Sequence, residues 1–225
     1  MEAVILAAGL GSRFENLNKP KGLLQPFGLN EPLIKRSVRI LSEVGISKII
    51  LGVGYKSEMY VEFFKNKPSI ILYKNPNFEN GSSAETLRIL SDFINDDFLL
   101  LESDLIYEKR AILSLLDNKN KDLVLLSEVS GSGDEVFVEL RDDRVSKLSK
   151  KANDLNKIYG EFVGISKVCL ESFKSFKFNA RDYEELLIGF CALKIPNLIW
   201  CEIDNKAHLN MAESYIIKEL KKEKK

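Results

Sequence analysis

A chain of 225 residues with 45% hydrophobic content can bury a full core, and one α/β domain over residues 1–225 is the expected organisation. Thirty-three basic residues balance thirty-three acidic ones, which excludes a global field that would draw the protein to nucleic acid or to an anionic membrane surface. Three cysteines, Cys169, Cys191 and Cys201, lie without metal-ligand spacing and in odd number, so reduced thiols are expected rather than a disulfide framework or a zinc site.

The opening run from Met1 to Phe14 has no basic leader and too short an apolar stretch for a signal or membrane helix, which predicts a cytoplasmic protein with no membrane insertion. Short apolar runs bounded by turn residues then recur at Ala3 to Leu6, Lys48 to Val53, Ile70 to Tyr73, Phe98 to Leu101 and Leu123 to Leu126, and each reads as a buried strand. Between them, Pro32 to Val44, Lys56 to Phe64, Ala84 to Ile94 and Lys109 to Leu116 have the apolar period of helices. Strand alternating with helix predicts an α/β fold with a mostly parallel sheet covered on both faces. After Ser130 the pattern changes. Glu135 to Leu140 and Arg144 to Leu148 alternate around Arg141-Asp142-Asp143, as a hairpin does. Strands over Glu161 to Ile165 and Leu198 to Ile203 follow, with helices over Arg181 to Leu193 and from Lys206 to the end, where the Lys-rich stretch from Lys218 to Lys225 is expected to be a solvated, fraying helix.

The first strand runs into Leu6-Ala7-Ala8-Gly9-Leu10-Gly11-Ser12-Arg13-Phe14. Glycines let a backbone approach a polyphosphate, and free N–H groups bind its oxygens; a tight turn needs the same glycines. A dinucleotide fingerprint is excluded by the missing third glycine and acidic partner, and a Walker lysine is absent. With the continuation Asn18-Lys19-Pro20-Lys21-Gly22-Leu23-Leu24-Gln25-Pro26-Phe27-Gly28, the chain resembles the sugar-nucleotidyltransferase family, which opens on a glycine-rich loop with an arginine, then a proline-lysine pair. The resemblance implies a three-layer, Rossmann-like nucleotidyltransferase fold, a nucleotide held by Leu6, Ala7, Ala8, Gly9, Gly11, Ser12 and Arg13, and catalytic roles for Arg13 and Lys21 at the reacting phosphates. Cations around charge spread over phosphate oxygens are what such a transfer needs.

Phe98-Leu99-Leu100-Leu101-Glu102-Ser103-Asp104 places carboxylates at the carboxyl end of a strand too apolar to be other than central, where open α/β sheets bind ligands. Magnesium prefers one or two carboxylates completed by phosphate and water oxygens, which makes Asp104 a candidate ligand. Far along the chain, Glu202 and Asp204 alternate so as to share one face of a strand, although Asp204 also sits where it would cap the last helix. In the resembling family an aspartate after the mid-chain strand and a residue near the carboxyl terminus hold Mg2+, which implies Asp104 and Asp204 as the metal pair. His208, the only histidine, is expected to be a packing or surface residue, and no hydrolase constellation is evident.

Gly81-Ser82-Ser83 before a helix offers short polar groups and free N–H donors that suit either a cap or the edge of a base; the resemblance implies that these residues contact the base together with Ala8. Leu101-Glu102-Ser103-Asp104-Leu105-Ile106-Tyr107, Ser132-Gly133-Asp134-Glu135-Val136, Gly160-Glu161-Phe162-Val163-Gly164-Ile165-Ser166-Lys167 and Glu202-Ile203-Asp204 together resemble 2-aminoethylphosphonate cytidylyltransferases. That likeness implies CTP as donor, a small phosphonate as acceptor, and a nucleotide-binding half over 1–130 with an acceptor-binding half over 131–225. The acceptor's ammonium wants carboxylates, for which Asp134 leads among Asp134, Glu135, Glu161, Asp182 and Glu184; Lys147 and Lys150, at a strand's end, are the candidates to meet the phosphonate, with surface solvation the expected role of at least one. Tyr159, Tyr183 and Trp200 keep phosphocholine as an alternative, a sugar 1-phosphate is another, and a non-catalytic nucleotide-binding subunit is the alternative of a different class.

Overall fold

In the computed structural model, residues 1–14 and 17–222 are described. The strands are β1 (Glu2–Ala7), β2 (Ile49–Val53), β3 (Ile70–Lys74), β4 (Phe98–Glu102), β5 (Leu105–Tyr107), β6 (Leu123–Ser127), β7 (Phe137–Arg141), β8 (Arg144–Ser149), β9 (Gly160–Val168), β10 (Cys191–Lys194) and β11 (Trp200–Glu202). The helices are α1 (Leu33–Glu43), α2 (Ser57–Phe64), α3 (Ser83–Ile89), α4 (Lys109–Asp117), α5 (Leu170–Lys174), α6 (Lys206–Met211) and α7 (Ile217–Lys222), the last two joined through a π-helical turn over Ala212–Ile216. Residues 223–225, the tip of the expected fraying end, lie outside the described residues.

Among the described residues, nine strands form one sheet in the order β3-β2-β1-β4-β9-β6-β10-β8-β7, and β11 pairs with β5 in a separate ribbon. β1 to β4 are parallel neighbours, β9 runs against β4 and β6, and β8 runs against β10 and β7, so the sheet is mixed as expected. The alternation of β1 sorts its side chains into two cores. Ala3, Ile5 and Ala7 join a cluster with Ile34 of α1, Tyr60 of α2 and Ile112 of α4. Val4 and Leu6 join another with Leu87 of α3 and Phe173 of α5. Helices therefore cover both faces, and burying each aliphatic side chain contributes roughly 1.5–3 kcal/mol, which is why the central strands tolerate almost no polar residue before their carboxyl ends.

Several boundaries differ from expectation. The helix expected over Arg181 to Leu193 is a short 3₁₀ turn, Tyr183–Leu187, followed by a reversal at Gly189 (φ +92°) and strand β10. Tyr183, Leu187 and Phe190 are buried at helical spacing, which made the segment read as a helix, but β10 hydrogen-bonds in parallel to β6 and that pairing prevails. The helix expected to reach Ile94 stops at Ile89 and gives way to a 3₁₀ turn over Ser91–Phe93. β5 was not visible in the sequence, and β11 ends at Glu202, so Asp204 lies beyond the strand instead of on it. The hairpin is present: Arg141 pairs with Arg144 across Asp142 and Asp143, whose φ angles of 52° and 59° make a two-residue turn of the mirror-image class that matches strand twist.

Candidate active site

The carboxyl ends of β1 and β4 open into a cavity of about 270 Å3. Its walls include Leu6, Ala7, Ala8, Gly9 and Arg13 from the first loop, Lys21, Gly81 to Ser83, Asp104, and from the later half Asp134, Lys150, Glu184 and Asp204. Thus most of the expected site residues meet in one place. Gly11, Ser12, Glu135 and Glu161 are not among the lining residues. Ser12 is exposed, and Gly11 (φ +65°) serves the turn; a Cβ there would stand 3.3 Å from Lys21 Cγ, so the lysine stem lies along it. Glu161 is buried and accepts from Ser130 N at 2.6 Å and Ser130 Oγ at 3.1 Å, which uses its carboxylate to fasten a loop.

The two aspartates converge because of strand register. Glu202 pairs with Leu105 in the β11–β5 ribbon, and the next bond, Ile203 N–H to Asp104 O at 3.0 Å, brings residue 204 alongside the end of β4. Asp204 does not cap the following helix. Asn205 does, its side chain accepting from His208 N at 2.9 Å, and Asp204 is left free to face the cavity. Lys21 Nζ lies 2.6 Å from Asp204 Oδ1 and also bridges to Asp104. Arg13 joins the same cluster, 2.8 Å from Asp204 Oδ1 and 2.9 Å from Asp134 Oδ1. Burial alone would depress the Lys21 pKa, but Asp104, Asp204 and Glu202 outweigh it and hold the lysine charged well above its ordinary range. Burial pushes Asp204 up, whereas Lys21, a hydrogen bond with Glu202 and Arg13 bring it below the ordinary carboxylate value.

Glu102 and Glu202, which the sequence reading did not assign to the metal, also line the wall. Ligand oxygens of Glu102, Asp104 and Glu202 lie within 4.8 Å of one another, and so do ligand atoms of Asp134, Asp204 and His208. Glu102 accepts from Tyr183 Oη at 2.9 Å, and burial, then Glu184 and Asp104, push its carboxyl up to about 8. Burial and Glu102 raise Glu202 in the same sense. Glu184 is raised by burial, and its Oε2 makes no hydrogen bond. The donors around Asp104 are all hard oxygens, which fits a cation of the magnesium class and does not fit a soft one. Their signal in the sequence was spacing: Glu102 and Glu202 each stand two residues before one of the paired aspartates.

Other side chains hold the walls in place. Ser82 caps α3, accepting from Glu85 N at 3.1 Å, and Ser83 Oγ accepts from Tyr183 N at 2.9 Å, so both hydroxyls shape the cavity through the backbone. His208 is buried; its Nδ1 accepts from Asp204 N–H at 3.4 Å, which leaves the proton on Nε2, 3.2 Å from Ser132 O. Lys147 is occupied by Asp154 O at 2.7 Å, which leaves Lys150 as the lysine of that strand end facing the cavity.

The family description "MobA-like NTP transferase domain" matches residues 3–183. The bifunctional protein GlmU of Methanococcus maripaludis is 32% identical over 155 residues, 67% of this chain and 36% of that protein. The choline-phosphate cytidylyltransferase of Haemophilus influenzae is 31% identical over 116 residues, 51% of this chain and 48% of that protein. The chain therefore spans between about a third and a half of the length of these curated relatives through the matched region. The solved inositol-1-phosphate CTP transferase from T. maritima superposes with a TM-score of 0.80 at 19% identity, covering 98% of this chain and 96% of that one, a likeness of fold.

Proposed function

The chain belongs to the MobA-like NTP transferase family, and from that premise we propose that it transfers CMP from CTP to 2-aminoethylphosphonate, releasing pyrophosphate. One observation carries the reading: Lys21 bridges Asp104 and Asp204 beside Arg13 and the Gly9 loop, in a single cavity. Such an arrangement gathers positive charge and hard oxygen donors where a triphosphate would lie.

In this reading a phosphonate oxygen attacks the α-phosphorus of CTP, a new P–O–P link forms, and the bond to the β-phosphate breaks with its electron pair leaving on pyrophosphate. Lys21 and Arg13 neutralise the charge that builds on the α-phosphate and the departing group. Asp104 and Asp204 are the residues that would hold Mg2+, which when bound supplies further neutralisation of the phosphate oxygens. The acceptor is already ionised near neutral pH and needs no general base, which agrees with a buried His208 spent on backbone contacts. Gly81 to Ser83 and Ala8 form the wall assigned to the base, and the acceptor end is assigned to residues of the later half together with Glu102 at the end of β4.

Asp134, expected to receive the ammonium, is paired with Arg13. We assign the ammonium instead to Glu102 and Glu184, which line the cavity and whose carboxyls burial and neighbouring carboxylates hold above their ordinary range, so that a cation beside them is what would favour their charged forms. Phosphocholine is the second reading, favoured by Phe162 and Tyr183 among the lining residues, since aromatic rings suit a quaternary ammonium. The test is a grid of CTP, UTP, dTTP and ATP against aminoethylphosphonate, phosphocholine, phosphoethanolamine and glucose 1-phosphate, read by pyrophosphate release. Turnover confined to CTP with aminoethylphosphonate is expected. Turnover confined to another acceptor replaces the substrate assignment, and none in any combination defeats the transferase reading.

A further inference from the structure

Tyr60 is one residue to which the reaction above gives no part. It comes from α2, its side chain is fully buried, and yet it reaches the floor of the cavity. Its hydroxyl lies within reach of Ser103 and of the Gly22 backbone, but neither contact has hydrogen-bond geometry, although a buried phenol ordinarily finds a partner. What it does meet is backbone. A Cβ built on Gly22 would fall 2.6 Å from Tyr60 Oη, and the same Cβ would lie 3.2 Å from Ser103 Cβ and 3.3 Å from Ser103 O. The phenolic oxygen thus stands directly against the Cα of Gly22, in the 3₁₀ turn over Lys21–Leu23 that carries the bridging lysine.

We propose that Tyr60 is the positioning residue for Lys21: its hydroxyl is a fixed stop, set against the Lys21–Leu23 turn beside Ser103, that sets how far the lysine ammonium reaches between Asp104 and Asp204. Three contacts fix Lys21 in this account. Its stem lies along Gly11, its charge sits between two carboxylates, and the backbone just after it rests on Tyr60. The first two leave the lysine free to slide along its own length, because a flexible four-carbon stem has many rotamers. The third removes that freedom by locating the backbone from which the stem departs. Ser103 N–H donates to Leu6 O at 3.1 Å, so the second neighbour of Gly22 is anchored to the end of β1 and does not yield. The proposal rests on the reading that Lys21 acts on the reacting phosphates.

The test is a double-mutant cycle of Tyr60→Phe and Gly22→Ala, measured by CTP-dependent pyrophosphate release and by thermal melting. Tyr60→Phe keeps the ring in the core and removes the stop, so it should melt close to wild type. Its kcat should fall about tenfold or more, while KM for CTP stays within about threefold, the signature of a misplaced group that acts on the transition state. Gly22→Ala puts a methyl into the hydroxyl and should lose both melting temperature and turnover. In the Tyr60→Phe background the same alanine meets no phenolic oxygen, so the double variant should melt higher than Gly22→Ala alone and recover part of its kcat. Tyr60→Phe turning over at the wild-type rate overturns the proposal, as does a double variant that pays both penalties in full. A wild-type protein that releases no pyrophosphate from any nucleotide defeats the transferase reading separately. The stop is then judged on melting, where a double variant as unstable as Gly22→Ala overturns it.

Discussion

Replacing Lys21 by methionine keeps the length of the stem along Gly11 and deletes the charge between Asp104 and Asp204. In the wild type the side chains of Lys21, Asp204 and Asp104 are 16%, 3% and 7% exposed; Asp204 keeps Arg13 when the lysine is lost, so the charge left desolvated behind it is that of Asp104. Breaking a buried pair this way costs about 3–5 kcal/mol, and at roughly 2–4 °C per kcal/mol for a chain of this size the melting temperature should fall by about 6–20 °C in EDTA. Millimolar magnesium should return part of that loss, because a cation meets the same oxygens that Lys21 has left. Turnover should not return with it: removing a preorganised positive charge from the transition state costs about 10²–10³ in kcat. Melting by circular dichroism in EDTA and in magnesium, with pyrophosphate release on the same samples, separates the two effects. An equal loss of melting temperature with and without the ion, together with kcat within about threefold of wild type, would refute the assignment of these aspartates and this lysine to one site.

Glu184→Gln keeps the shape and removes the charge of a carboxylate oxygen that has no partner; KM for the amino acceptor should rise about tenfold with KM for CTP little changed, since a hydrogen bond to a charged group is worth roughly 1.5–3 kcal/mol. Equal rises for both substrates would remove Glu184 from the acceptor end. At the hairpin, Asp143→Gly should raise stability by about 1 kcal/mol in urea titration, because φ is 59° at that residue and the left-handed region costs an L-residue about 1–2 kcal/mol; unchanged or lower stability would contradict the turn. Burial pushes the Cys201 thiol up to about 12, so it stays protonated at every ordinary pH and should resist alkylation in the native protein at pH 8. Cys191, which is only half-buried, should react first, and early labelling of Cys201 would show that β11 opens.

Much of the nucleotide half was readable because its determinants are local. Four apolar runs became β1 to β4, and the small residues from Ala7 to Gly9 had to follow the first of them. Asp104 was legible from position alone, at the end of a strand with no polar residue before Glu102. The acceptor half was less so. Arg181 to Leu193 carries helical spacing but obeys a strand partner distant in sequence, and no window of that length contains β6. Asp204 was named for its alternation with Glu202, whereas its place is due to the register between β11 and β5, a strand too short to announce itself. Asp134 and Glu161 show the limit of reading charge: only Asp134 lines the cavity, and Arg13 engages it, while Glu161 is spent on Ser130. Tyr60 resembled any core tyrosine, since what singles it out is the glycine it touches.

The bridge from Lys21 to Asp204 joins residues 183 positions apart. During synthesis the glycine loop and β1 emerge early, but the lysine's second carboxylate comes off the ribosome only after nearly all of the sheet has been made. Any form clipped before the β11 ribbon therefore keeps the glycine loop and Lys21 but lacks Asp204, and the cluster that Lys21 and Arg13 make with it cannot assemble.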